Sequence, residues 1–254
     1  MHILVTNDDG VQAPGLLALA QEMRKLGKVT VLAPDRNWSA SGHNKTMHKP
    51  LRVKETRLAD GSEALTTDGA PSDCVALALL GIVPDVDLVM SGINPHANIG
   101  DDVTYSGTVT AALEAVIGGV PGIAVSVHTT SAFQGERDYR SSAMAGRRVA
   151  ELVMEKGLPA RTGLSVNVPH LPYEQIKGYQ VTRQGIRIYK DQLVTQIDPK
   201  GKPFYWIGGE YPSAHLDEGS DYHAIENGFI AVTPLHLDLT NYAFMTDLME
   251  WEWE

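Results

Sequence analysis

The fold is decided by the first ten residues, Met1-His-Ile-Leu-Val-Thr-Asn-Asp-Asp-Gly10. Ile3 to Val5 form a short apolar run rich in β-branched side chains, which is typical of a buried strand. The run ends in polar residues, among which Asp8 and Asp9 stand side by side. Carboxylates at the end of a core strand must be solvated, hydrogen-bonded or neutralised by a cation.

Two interpretations of this acid pair follow. In an open α/β sheet, ligands bind beyond the carboxyl ends of the strands, so the pair predicts a divalent metal site at that edge. The alternative is a turn in which an aspartate caps the next helix and Gly10 supplies a positive φ angle. The ten residues alone leave both interpretations open.

The segments that follow alternate between helix and strand patterns. Residues 16–26 carry apolar side chains at three- and four-residue spacing, which predicts a helix that ends at Gly27, and residues 29–33 predict a second strand. A strand, a helix and a strand with short connections predict a right-handed parallel crossover. The chain has no Gly-x-Gly-x-x-Gly at this position, so a dinucleotide-binding fold is not predicted.

The same reasoning extends along the chain and predicts an α/β fold. Hydrophobic patterns predict a hairpin at 51–65, helices at 74–80, 111–117 and 141–156, and strands at 86–90, 123–127, 164–168 and 229–233. Residues 179–209 alternate and are aromatic, which predicts a long hairpin that turns at 198–201. Because such a hairpin is poorly supported alone, we expect a partner subunit to cover it.

Composition narrows the class of protein. The chain has 254 residues, 43% of them hydrophobic, and a net charge of −10, which fits one globular domain and argues against a broad nucleic-acid surface or an anionic-membrane anchor. A small phosphorylated substrate remains compatible, because one local cation reverses the sign of a site. With one cysteine, Cys74, and neither a signal peptide nor a membrane-spanning apolar run, the expected location is cytoplasmic.

A second informative stretch runs from Asn94 to Thr110. It contains amides, glycines and hydroxyls immediately before the predicted helix at 111–117. Backbone N–H groups at a helix N-terminus, with the hydroxyls of Ser106 and Thr108 beside them, predict an anion site, and ordinary N-capping by these residues is compatible with it. His43 and His96 fall in loops at the same predicted edge of the sheet.

Several short motifs follow one another in a fixed order and spacing: Asn7-Asp8-Asp9-Gly10, Ala33-Pro34-Asp35-Arg36-Asn37 with Ser39, Gly69-Ala70-Pro71-Ser72-Asp73-Cys74, Ser91-Gly92-Ile93-Asn94, Tyr105-Ser106-Gly107-Thr108-Val109 and Val232-Thr233-Pro234-Leu235. Over nearly the whole chain, this ordered set resembles the SurE family of metal-dependent nucleoside monophosphate phosphatases. The chain departs from the family pattern at Pro95-His96, where a small residue and glycine are common, and at Ala70, where threonine is usual.

The resemblance implies a metal site and an assembly. Asp8, Asp9, Ser39 and Asn94 would hold one divalent ion per subunit, Mg²⁺ or Mn²⁺, with Ca²⁺ also suited; an all-oxygen ligand set favours these ions over zinc. The fold would be a Rossmann-like three-layer sandwich in one domain, with a core at about 1–178 and 221–236. A projecting hairpin at about 179–210 and an exchanged C-terminal arm at about 237–254 would give homodimers or homotetramers.

The resemblance also implies hydrolysis of nucleoside 5′-monophosphates, with 3′-monophosphates and polyphosphate as further substrates. In the corresponding mechanism a water activated by the metal attacks, and Asp8 or Asp9 accepts its proton or orients it. The phosphoryl group would be bound by Asn94, Asn98, Ser106, Gly107 and Thr108. A covalent aspartyl-phosphate is less favoured because the acids are adjacent, and a non-catalytic nucleotide or phosphate sensor is the alternative function. Neither a membrane nor a specific nucleic-acid sequence is expected as a partner.

Overall fold

A computed structural model of the chain describes residues 1–130, 133–210 and 212–253. Its strands are β1 His2–Thr6, β2 Lys28–Pro34, β3 Val53–Arg57, β4 Glu63–Thr67, β5 Leu88–Asn94, β6 Gly122–His128, β7 Thr162–Pro169, β8 Tyr179–Val181, β9 Arg187–Ile188, β10 Asp191–Ile197, β11 Pro203–Gly209, β12 Ser213–Ala214 and β13 Ile230–His236. Its helices are α1 Pro14–Met23, α2 Pro71–Leu77, α3 Gly107–Ile117, α4 Arg140–Lys156, α5 Asp221–Glu226 and α6 Tyr242–Met249.

The central sheet has nine strands in the order β3-β4-β2-β1-β5-β6-β7-β13-β8. The run from β4 to β7 is parallel, whereas β3 at one edge is antiparallel to β4 and β13 is antiparallel to β7. The predicted α/β class, with a sheet covered by helices on both faces, is confirmed.

Side chains of β1 alternate between two cores. Ile3 and Val5 pack on one face in the cluster that contains α1 and α4, and Leu4 packs on the other face in the cluster that contains α2 and α3. All three side chains are fully buried, and each contributes roughly 1.5–3 kcal/mol relative to an exposed position. A strand that is apolar on both sides therefore stands at the centre of the molecule, as its sequence predicts.

The strand order reverses next to β1. The chain leaves β1 for β2 on one side and later returns to β5 on the other side, with both neighbours parallel to β1. A crevice forms at such a switch point beyond the carboxyl ends of the strands, and ligands bind there in open α/β sheets. Thr6 pairs with Ser91, so the residues that follow β1 lie beside the end of β5.

Several predicted elements have different bounds in the structure. The helix predicted at 16–26 ends at Met23, and the helix predicted at 111–117 begins at Gly107. The helix predicted as buried at 74–80 is α2, which ends at Leu77 and continues as a widened turn, Ala78–Ile82. Gly81 has a φ angle of 126° there, and the turn leaves Leu80 84% exposed. The strand predicted at 86–90 continues to Asn94, because its polar residues still pair with β6.

The single hairpin predicted for 179–209 is also wrong in extent. Strand β8 joins the central sheet beside β13, and β9 pairs with β12 in a separate two-stranded sheet. Only β10 and β11 form the hairpin, and every residue of β10 is exposed. The limits of the predicted domain parts and the exchange of the C-terminal arm stay predictions.

Within the described part of the chain, no helix has the length and apolar character needed to cross a membrane.

Candidate active site

The acid pair does not cap α1. The N-cap of that helix is Ala13, which makes no side-chain capping bond, and the turn after β1 is closed by the side chain of Asn7, which bonds to both backbone groups of Gly10. Gly10 has the positive φ angle, 103°, that the turn interpretation required. The turn is therefore confirmed and the capping role is wrong, which leaves the carboxylates free for another purpose.

Asp8 is held in place by two other segments. Its Oδ1 accepts a hydrogen bond from Thr108 Oγ1 at 2.5 Å, and its carbonyl oxygen accepts one from the amide of Trp38 at 2.7 Å. Only 3% of Asp8 is exposed, and this burial raises the pKa of its carboxyl group against the lowering effect of the Thr108 hydrogen bond.

Asp9 carries a second perturbed carboxyl group. Burial, together with the charge of Asp8, raises the pKa of Asp9 to about 7, and the positive charge of Arg137 partly offsets this rise. Two neighbouring acids at one strand end both have raised pKa values, so the negative charges of their carboxylates are only partly compensated. A bound cation would lower these pKa values and favour the ionised forms.

A cleft of about 290 Å³ opens at the switch point and contains most of the predicted residues. Its lining comprises Asp8, Ser39, Ala40, Asn94, Pro95, His96, Ala97, Asn98, Asp102, Tyr105, Ser106, Arg187 and Pro212. Asp8, Ser39 and Asn94, three of the four predicted metal ligands, thus face one space. Asp9, Gly107 and Thr108 are not among these lining residues, although Thr108 is bonded to Asp8.

The N-terminus of α3 reaches the same cleft. Ser106 is its N-cap, with Oγ accepting from the amide of Val109 at 3.1 Å, so the hydroxyl proton of Ser106 is available to an acceptor in the cleft. The first amides of the helix have no intrahelical acceptor. Thr108 is fully buried and its hydroxyl bonds Asp8, so its backbone amide is the group left for the predicted phosphoryl contact.

Gly107 packs closely against Asp8. A Cβ atom added at Gly107 would lie 2.8 Å from Cβ of Asp8 and 3.0 Å from Oγ of Ser41. Glycine is therefore required where the helix start approaches the strand end. Ser41 Oγ is itself buried without a hydrogen-bond partner.

The two predicted asparagines are oriented by hydrogen bonds. Nδ2 of Asn94 donates to the carbonyl oxygen of His96 at 2.5 Å, which leaves Oδ1 of Asn94 as a ligand atom. Asn98 donates from Nδ2 to Ser126 at 2.8 Å, and its backbone amide donates to Oδ1 of Asn167. Asn98 is thus fixed on the ends of β6 and β7, with its side-chain oxygen as the group left for a ligand.

The loop at 35–49, which carries Ser39, is fastened to α3. Nε2 of His43 and Nζ of Lys45 each lie 2.9 Å from a different carboxylate oxygen of Glu114. His43 therefore bonds α3 and is absent from the cleft lining, whereas His96 belongs to that lining. Burial and the nearby charge of Arg137 lower the pKa of His96.

Sequence reasoning missed two arginines. Arg187 on β9 reaches the cleft, where its Nε lies 2.8 Å from Oδ2 of Asp102 and its side chain is 7% exposed. Arg137 acts electrostatically on both Asp9 and His96, and its Nε is buried without a hydrogen-bond partner. Arg137 follows β6, and its place after a parallel strand was a usable signal; nothing in the sequence placed Arg187 near the cleft.

The predicted metal ligands all bind through oxygen atoms. Among the residues that the structure describes, no group of three or more His, Cys, Asp and Glu side chains is arranged to hold a metal. The predicted set contains only two acids, and its other donors are the hydroxyl of Ser39 and the amide oxygen of Asn94. Such a mixture suits a hard cation that keeps several water ligands.

Together, the reversed sheet, the buried acid pair and the helix N-terminus define an α/β protein with a polar cleft at the carboxyl end of its central strand. The chain belongs to the SurE family: the family model described as survival protein SurE matches residues 3–191.

Individual relatives match over at least 94% of their own length. The 5′-nucleotidase SurE of Chloroflexus aggregans is 49% identical over 100% of both chains, and that of Geobacter sulfurreducens is 50% identical over 99% of this chain and 94% of its own. The crystal structure of the SurE protein from Aquifex aeolicus is similar with a TM-score of 0.81 and 43% identity, covering 98% of each chain.

Proposed function

We propose that this protein is a metal-dependent phosphomonoesterase that releases phosphate from nucleoside 5′-monophosphates, and also from 3′-monophosphates and polyphosphate. The observation that carries the proposal is the convergence of Asp8, Ser39, Asn94 and the α3 N-terminus on one cleft. The activity in the names of the relatives, 5′-nucleotidase, supports a nucleotide as the substrate.

The residues present fit a divalent cation. Asp8 and Asp9 have pKa values raised by burial, and Ser39 and Asn94 add neutral oxygens at the same cleft. We propose these four residues as ligands of one ion per subunit, Mg²⁺ or Mn²⁺, with Ca²⁺ also compatible. When bound, the ion supplies positive charge for the phosphoryl group and lowers the pKa of water in the cleft.

Side chains and backbone groups of the protein bind the phosphoryl group and accept the proton. The hydroxyl of Ser106 and the first amides of α3, at Gly107 and Thr108, donate hydrogen bonds to the phosphoryl oxygens, where negative charge develops. Asp8 or Asp9 accepts a proton from the attacking water or orients it. Thr108 fixes the carboxylate of Asp8, and Asn98 completes the phosphate contacts from the ends of β6 and β7.

Phosphate release tests the proposal. Wild-type protein and Asp8→Asn are assayed with AMP, 3′-AMP and tripolyphosphate, each with Mg²⁺, Mn²⁺, Ca²⁺ or a chelator. Release by the wild type that needs the ion and is lost in Asp8→Asn is expected. Nucleotide binding without release under any ion would replace the enzyme by the sensor, and label from ¹⁸O-water in a protein carboxylate would replace direct attack by water with an aspartyl-phosphate route.

We also propose a homodimer or homotetramer in the cytoplasm. Support for the assembly comes from exposed apolar side chains on the β10–β11 hairpin, where Leu193 is 70% and Ile207 85% exposed, and near the C-terminus, where Trp253 is 73% exposed. Exposed apolar surface of this kind marks an interaction site.

A further inference from the structure

Asp221, the first residue of α5, is a buried acid that the proposed reaction does not use. Only 1% of it is exposed. Burial raises the pKa of its carboxyl group, and the groups that oppose this rise are backbone amides, not a cation. Removing a carboxylate from water is costly, so the hydrogen bonds that it accepts must replace its lost hydration.

The carboxylate of Asp221 joins two segments of the chain, residues 98–104 and 183–187. Oδ2 accepts a hydrogen bond from the amide of Gly100 at 2.8 Å, and Oδ1 accepts one from the amide of Gly185 at 2.9 Å. The backbone amide of Asp221 also donates to the carbonyl oxygen of Arg183 at 2.9 Å. Because each oxygen bonds a different segment, a carboxylate is required; the side chain of asparagine has only one acceptor oxygen, and its NH₂ group would face a backbone N–H.

The two segments touch where Asp221 bonds them. Gly100 has a φ angle of 49°, and a Cβ atom added to it would lie 2.8 Å from the carbonyl oxygen of Gly185. A Cβ atom added to Gly185 would lie 2.9 Å from Oδ1 of Asp221. On the outside of the same contact, Nε2 of Gln184 donates to the carbonyl oxygen of Gly100 at 3.1 Å. Glycine at both positions therefore lets the two backbones lie against each other and against the acid.

Both segments continue into the wall of the cleft. Asn98 lies two residues before the first glycine and Arg187 two residues after the second, and both side chains line the cleft. The guanidinium of Arg187 lies against Asp102 of the other segment, and its backbone amide donates to Asp101 at 3.0 Å. The distance between these two parts of the wall therefore depends on the point at which Asp221 fastens them.

We propose that Asp221 is a positioning residue for phosphate release, whose carboxylate fixes the separation of Asn98 and Arg187 from behind the cleft; the inference rests on the proposed function. Asp221 is not among the residues that line the cleft, so it acts through the two backbone segments. None of the four proposed metal ligands belongs to these segments. A change at Asp221 should therefore displace groups that contact the substrate and leave the bound ion in place.

Asp221→Asn tests the role, because it keeps the size of the side chain and removes one of the two acceptors. We expect KM for AMP to rise about tenfold or more, with Mn²⁺ affinity equal to that of the wild type. A merely structural role predicts a different result. Loss of folded protein reduces the number of active molecules, which lowers the apparent kcat and the number of Mn²⁺ sites but leaves KM unchanged.

A second variant and a matched control keep the test independent of folding. Gln184 is exposed, so Gln184→Ala should fold; it removes one bond between the two segments and should raise KM about two- to tenfold. Val153→Ala in α4 is the control, because it removes buried apolar surface from a cluster that contains no residue of either segment. This control should lower the melting temperature and keep the wild-type KM.

AMP binding in the presence of Mn²⁺, measured by calorimetry, separates this inference from the proposed function. If the wild type binds AMP but releases no phosphate, the proposed function fails, and weaker AMP binding in Asp221→Asn and Gln184→Ala supports the positioning role for nucleotide binding alone. If AMP is hydrolysed and both variants keep the wild-type KM, the positioning role is wrong and the proposed function stands. If Asp221→Asn does not fold, an unchanged KM in Gln184→Ala overturns the role, as would an equal rise of KM in Val153→Ala. A wild type that neither binds nor hydrolyses AMP would overturn both.

Discussion

Oγ1 of Thr108 lies 2.5 Å from Oδ1 of Asp8, although the two residues are 100 positions apart in the chain. The contact ties the N-terminus of α3 to the carboxyl end of β1. The proposed anion site and the proposed cation site are therefore parts of one packed unit, and a change in either one displaces the other.

The hydroxyl of Thr108 is the first element to test. Thr108→Val keeps the shape of the buried side chain but removes the donor to Asp8, which costs about 1–3 kcal/mol of unfolding free energy for an unsatisfied buried acceptor. The carboxylate then loses its fixed orientation, and we expect kcat/KM to fall about ten- to a hundredfold. Thr108→Ser retains the hydroxyl and serves as the control in phosphate-release kinetics; equal activity of the valine and serine variants would contradict the role of the bond.

Gly107 tests the close approach of helix and strand. In Gly107→Ala the new Cβ would lie 2.8 Å from Cβ of Asp8, so one of the two elements must shift. We expect loss of metal binding and of phosphate release, in a protein whose circular dichroism spectrum remains that of the wild type. Gly135→Ala is the control, because the nearest atom to its added Cβ, in the Phe133 ring, is 3.4 Å away. A fully active Gly107→Ala variant would show that this approach is not needed.

Glu114 tests the fastening of the loop that carries Ser39. Its bonds to His43 and Lys45 lower the pKa of its carboxyl group from the ordinary value of 4.5. Because the folded pKa is depressed, the stabilisation is present above pH 4.5 and is lost as the pH falls through the folded value. Its side chain is 8% exposed, so Glu114→Gln should reduce unfolding free energy by about 1.5–3 kcal/mol at neutral pH.

Denaturant unfolding at pH 7 and below pH 4 measures this difference. The gap between the wild type and Glu114→Gln should narrow in acid, whereas Glu155→Gln, at a 67%-exposed side chain, should match the wild type at both values. A gap that stays constant with pH would assign the stabilisation to packing and not to charge.

The hairpin tests the proposed assembly. Ile207 on β11 is 85% exposed, and Ile207→Asp places a charge on the apolar surface that a second copy would cover. We expect light scattering to give a lower mass for this variant than for the wild type. Lys200→Glu, in the turn of the same hairpin, changes charge without removing apolar surface and should keep the wild-type mass. A wild-type protein that is already monomeric would contradict the proposed assembly.

Much of the site was predictable because parallel strands end at one edge of a sheet. Asp8 follows β1, the Ser39 loop follows β2 and Asn94 ends β5, so a strand–helix–strand pattern was enough to expect them together. The resemblance to a family then assigned each a role. The structure brings Asp8, Ser39 and Asn94 to one cleft, in agreement with this expectation.

The rest of the fold and of the site depends on contacts that the hydrophobic periodicity of the sequence does not encode. Alternation at 179–209 is the same whether a strand joins the central sheet, as β8 does, or forms a hairpin, as β10 and β11 do. The place of Arg187 is set by the pairing of β9 with β12, two strands of two residues each that leave no sequence signal. Only the packed structure places Arg187 on the lining of the cleft.

In the proposed site, the acids after β1 hold a divalent cation together with Ser39 and Asn94. Calorimetric titration of chelator-treated protein with Mn²⁺ tests it most directly, with Asp8→Asn and Asn94→Ala compared with the wild type and with Asp138→Asn as a control outside the proposed ligand set. We expect one Mn²⁺ per subunit in the wild type and in Asp138→Asn, no measurable binding in Asp8→Asn and weakened binding in Asn94→Ala. Equal Mn²⁺ affinity in all four proteins would contradict it.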